Sequence, residues 1–105
     1  MKILFDQGVP VPLRQELQRM EITTAYSMGW SNLSNGALLK QAEAAGLKVF
    51  VTTDQNLRYQ QNLTERHIAI LVLPTTRWPE IKPHADKIRD ALSQIKPGDY
   101  RELVW

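Results

Sequence analysis

Lys2-Ile3-Leu4-Phe5-Asp6 and, farther along, Lys48-Val49-Phe50-Val51-Thr52-Thr53-Asp54 decide the reading of this chain, because each is a short apolar run that ends on a carboxylate. Runs this short and this continuously apolar suit strands buried on both faces of a parallel sheet. In an open sheet of that kind, ligands bind in the crevice at the carboxyl ends of the strands. Two strands that each deliver an acid to that edge therefore predict a site there, with Asp6 and Asp54 as its first candidates.

The elements around these runs alternate. Gly8, Pro10 and Pro12 make a turn, and Leu13, Leu17 and Met20 then recur at helical spacing, which predicts a helix over Val11 to Met20. Ile22 to Tyr26, rich in β-branched and aromatic residues, reads as a strand, and Ser27 to Ser34 as a loop carrying Gly29 and Trp30. Ser34 or Asn35 caps a helix with Leu38, Leu39, Ala42 and Ala45 on its inner face, stopped by Gly46. Val49 to Thr52 is a strand, Asn56 to Asn62 a short polar helix, and Ile68 to Leu73 a strand that Pro74 ends. From Pro79 to Ile95 the apolar residues keep a helical period up to Pro97-Gly98, and Tyr100 to Trp105 reads as an edge strand. Strands alternating with helices predict an α/β fold: a three-layer α/β/α sandwich with a mostly parallel sheet, in one domain over residues 1–105.

Composition narrows the function classes. A chain of 105 residues with 43% apolar and 23% charged residues has the make-up of a folded globular domain. Its lack of cysteine excludes disulfides, thiol catalysis and cysteine-bound zinc, and fits the cytoplasm. Its longest apolar run, Ile68 to Leu73, is far short of the ~20 residues of a membrane helix. The net charge of +2 predicts no partner by itself, and the arginines (among them Arg14, Arg19, Arg58, Arg66 and Arg77) are spread along the chain.

Carboxylates at one sheet edge suit a hard cation, since Mg²⁺ and Mn²⁺ take oxygen ligands and are held by one or two acids with waters and substrate phosphates completing the shell. Asp6 and Asp54 meet that minimum. Thr53, next to Asp54, is the residue expected to support its carboxylate, while Thr52 reads as ordinary strand. Arg58 follows within a helical turn and is placed to reach a phosphate. Trp30 either stacks on a nucleobase or plugs the sheet edge. His67 and His84 have no partner at metal-ligand spacing, and Glu43 lies two turns beyond Asn35.

At these positions the chain resembles the PIN-like domains, in particular the small prokaryotic branch related to VapC-type toxins. Asp6-Gln7-Gly8-Val9-Pro10 is similar to that branch's opening Asp-Glu-Asn-Leu-Pro. Leu33-Ser34-Asn35-Gly36-Ala37-Leu38-Leu39 aligns with its loop-to-helix acid, and Val51-Thr52-Thr53-Asp54-Gln55-Asn56-Leu57 resembles its Thr-x-Asp-x-Asp-Phe motif. The resemblance implies a PIN fold and an acid cluster of Asp6, Asn35, Asp54 and Asn56 that binds Mg²⁺ or Mn²⁺ and cleaves RNA. It also implies an antitoxin-like protein partner, and the apolar Leu103-Val104-Trp105 end is expected either to pair with a second copy in a homodimer or to dock on its own core. Asn35 and Asn56 stand where the family has carboxylates, and Gln7 where it often has Glu. An amide offers a metal only a dipole, so the resemblance implies a weaker, single-ion site. Two other readings compete: a PIN-like module that binds RNA or protein without cutting, and a receiver-like domain phosphorylated on Asp54. The receiver reading needs a second acid after the first strand and a lysine after a late one, and neither is present at Asp6-Gln7 or at Pro74-Thr75-Thr76-Arg77.

Overall fold

In the computed structural model, which describes residues 2–57 and 66–105, the elements run β1 (Lys2–Phe5), α1 (Leu13–Glu16), β2 (Glu21–Thr24), α2 (Asn35–Ala44), β3 (Val49–Thr52), β4 (Ala69–Val72), α3 (Trp78–Ile81), α4 (Ala85–Gln94) and β5 (Tyr100–Glu102). The strands form one sheet of order β2-β1-β3-β4-β5, parallel at every junction. This is the α/β fold with a parallel sheet that the alternating pattern predicts. The predicted helix over Asn56 to Asn62 lies mostly outside the described residues.

Alternation along the strands splits the core in two. Ile3, Phe5, Val49, Val51, Ala69 and Leu71 pack with Leu13 and Leu17 of the α1 region and with Ile88 and Leu92 of α4. Leu4, Phe50, Ile70 and Val72 pack with Leu38, Leu39 and Ala42 of α2. Every residue of β3 and β4 is buried, as a strand covered on both sides must be. Each fully buried Leu, Ile or Phe side chain contributes ~1.5–3 kcal/mol.

Two helices depart from the expected elements. Regular α-helix in the first crossover spans only Leu13–Glu16, and the flanking bonds, such as Leu13 N–H to Pro10 O (3.1 Å) and Met20 N–H to Leu17 O (3.0 Å), close tight three-residue turns. Past Glu16 the chain keeps turning through i→i−3 bonds, Leu17 N–H to Arg14 O at 3.1 Å among them, so the segment to Met20 winds as tight turns outside the regular α-helix. The helix expected over Pro79 to Ile95 is broken into α3, a 3₁₀ turn at Lys82–His84, and α4. Pro83 is responsible: it removes an i→i−4 bond and crowds the carbonyl four residues back. The edge strand is also shorter than the expected Tyr100 to Trp105, although Leu103 N–H still donates to Val72 O at 2.9 Å. Beyond it, Trp105 stacks on His84 with ring centroids 4.5 Å apart, and both Leu103 and Trp105 dock on their own core. Among the described residues, no helix is long and apolar enough to cross a membrane.

Candidate metal and phosphate site

The order β2-β1-β3 means that the chain leaves β1 to one side and returns to its other side, so the crevice between the ends of β1 and β3 is the topological switch point. Asp6 and Asp54 flank it. Phe5 pairs with Val51, and Asp6 N–H continues the ladder to Val51 O at 2.9 Å, which fixes the Asp6 backbone beside the end of β3. The following loop turns closely over β3: a Cβ on Gly8 would lie 2.3 Å from Thr53 Oγ1, so a residue without one is needed there.

Thr52 joins the two acids. It is fully buried (0% exposed), and its hydroxyl donates to Asp6 Oδ2 at 2.8 Å while accepting from Asp54 N–H at 3.1 Å. The Asp54 carboxylate is held twice, by Asn56 N–H on Oδ1 (2.9 Å) and by Asn35 Nδ2 on Oδ2 (2.7 Å). Only the NH₂ half of an amide can face a carboxylate, so Asn35 enters this network as a donor. It opens α2, whose first turn is fixed by Ser34 Oγ accepting from Ala37 N–H at 3.3 Å, and the positive end of the helix dipole therefore faces Asp54. Asp6 Oδ1 accepts from Gln7 N–H at 2.8 Å, and the Gln7 side chain turns away to donate to Ser31 O at 2.9 Å.

Of the residues singled out in the sequence, Asp6, Asn35 and Asp54 share one hydrogen-bonded network. Asn56 joins it through its main chain, with its side chain exposed. Arg58 lies outside the described residues. Thr53 abuts Gly8, and the hydroxyl that meets the acids belongs to Thr52. Strand periodicity turns neighbouring residues to opposite faces, but which of two threonines meets Asp6 depends on the β1–β3 register, which no local pattern reports. Trp30 is half-buried against the α2-side core.

Glu43 is at the other end of the sheet, where its carboxylate accepts from His67 N–H and from Ile68 N–H (2.9 Å) just before β4. Partial burial pushes its pKa up. The two backbone donors and the positive charges of His67 and Arg66 outweigh that and set it below its ordinary 4.5.

Among the described residues, no group of three or more His, Cys, Asp or Glu converges. Among the described residues the donor set is thus two carboxylates, and each oxygen of Asp6 and Asp54 accepts one bond from a described protein donor. That set fits a single hard cation completed by water and phosphate oxygens. No protein-family model, curated protein or solved structure matches the chain.

Proposed function

We propose that this chain is a PIN-like, cytoplasmic ribonuclease with a partly degenerate acid site, built as a three-layer α/β/α sandwich and acting as the toxin of a toxin–antitoxin pair. The observation that carries the reading is the Asp6–Thr52–Asp54 bridge across the switch point between β1 and β3. Asp6 and Asp54 would hold one Mg²⁺ or Mn²⁺. When bound, such an ion polarises a phosphate and lowers the pKa of a water ligand. Thr52 fixes both acids, Asn35 and the Asn56 N–H orient the Asp54 carboxylate, and Arg58 steadies the substrate phosphate.

Calorimetric titration of Mn²⁺, with Asp6→Asn and Asp54→Asn as controls, followed by cleavage assays on single-stranded RNA, tests this. Binding lost in either variant together with metal-dependent cleavage supports it; no binding at millimolar metal overturns it. A second reading, a module that binds RNA or an antitoxin-like protein without cutting, is favoured by the Asn35 bond to Asp54 Oδ2, which puts a donor where a further acid would stand. Metal binding without cleavage would select it. The receiver-like reading has the strand order in its favour but lacks the second acid and the lysine.

A further inference from the structure

The loop between β2 and α2 leaves the sheet beside the acid pair. Thr24 pairs with Phe5, and Ala25 N–H still donates to Phe5 O at 3.0 Å, so Tyr26 departs next to the strand that carries Asp6. Neighbouring strands lie ~4.8 Å apart, which keeps this departure within about one nucleotide of the cup. Farther along, Ser31 O takes the Gln7 Nε2 bond and ties the loop to the residue after Asp6.

The loop is built. Ser27 Oγ donates to Thr24 O (3.0 Å) and accepts from Thr24 N–H (3.1 Å), Trp30 N–H donates to Ala25 O (2.8 Å), and Leu33 N–H donates to Trp30 O (3.0 Å). Gly29 takes φ +76° to close the turn. While Trp30 is drawn into the core, this frame holds Tyr26 outward with 81% of its surface in water. An aromatic side chain this exposed, on a hydrogen-bonded loop, has no packing role. It is flanked by hydroxyls and amides (Ser27, Ser31, Asn32) and by no charged residue between Ala25 and Asn35. A platform of this kind suits a flat ring with polar edges and leaves the phosphate to the acid cup.

We infer that Tyr26 is the stacking platform for a nucleobase of single-stranded RNA, one nucleotide from the phosphate that a cation held by Asp6 and Asp54 would bind. The inference rests on the RNA reading above but needs no cleavage. Stacking on an aromatic side chain is sequence-tolerant and is lost on truncation to alanine.

Binding of a fluorescent eight-residue oligouridine, and of an abasic oligomer of equal charge, in buffer with Ca²⁺ in place of Mg²⁺ or Mn²⁺ tests it. Tyr26→Ala is expected to weaken oligouridine binding ~10-fold or more, Tyr26→Phe to retain it, and the abasic oligomer to be indifferent to either change. Such a result supports the platform even if no cleavage follows when Mn²⁺ replaces Ca²⁺, in which case only the nuclease reading fails. Equal loss of the abasic oligomer, unchanged oligouridine binding by Tyr26→Ala, or no binding by the parent chain would overturn the platform. So would a Tyr26→Ala change in self-association, read by sedimentation, with RNA binding intact.

Discussion

The two ends of the sheet each carry hydrogen-bonded carboxylate, yet they use it differently. At the amino edge, Glu43 spends one oxygen on two successive backbone N–H groups and thereby ties α2 to the start of β4. At the carboxyl edge, Asp6 and Asp54 come from the ends of adjacent strands and meet through one buried hydroxyl, and among the described residues each of their oxygens accepts a single bond. An acid whose partners are backbone donors from a distant element serves the fold. On the function proposed above, a pair of acids side by side at a switch point serves a ligand.

That contrast can be broken at Thr52. Thr52→Val keeps the shape but strands Asp54 N–H and removes the donor to Asp6; a loss of about 2 kcal/mol is expected, read by urea unfolding, together with weaker Mn²⁺ binding. A stability loss with unchanged metal binding would make the bridge purely structural. Next, Glu43→Ala should cost about 1.5 kcal/mol while leaving the metal titration unaltered, since its carboxylate belongs to the other edge. Its pH dependence has a defined sign. The folded-state pKa is lowered, so the Glu43 contribution is complete above pH 4.5 and fades as pH falls below it, and the variant and parent should converge in stability under acid. Gly8→Ala should cost about 1 kcal/mol, because the added methyl forces Thr53 off its position, and the displacement should register in Asp6 chemical shifts. Smallest is Tyr26→Ala, expected to change the unfolding midpoint by less than about 0.5 kcal/mol.

Much of this architecture is legible in the amino-acid sequence because its signals are local. Continuous apolar runs locate β1 and β3, Ser34 and Gly46 bound α2, and the recurrence of an acid after two strands points to the sheet edge where the network lies. Other features are set by relations between distant residues. Pro83 sits in a periodic apolar pattern that reads as one helix, and its steric conflict wins over the period. Asn35 lies 19 residues from Asp54, and Thr52 lies 46 from Asp6, so their pairing follows from register and crossover geometry. Trp30 attracts notice as the larger aromatic, whereas the structure folds it inward and leaves Tyr26 in water.

The register at the end of β1 also draws a line in time. Asp6 N–H is bonded to Val51 O within the middle of the sheet, whereas Gln7 N–H, one residue on, reaches only the neighbouring Asp6 carboxylate. Deuterium should therefore enter the Asp6 amide only when the whole domain opens, and the Gln7 amide through fraying of the loop alone. Two consecutive amides would thus keep different clocks, and the border between rigid scaffold and loop runs through a single peptide unit.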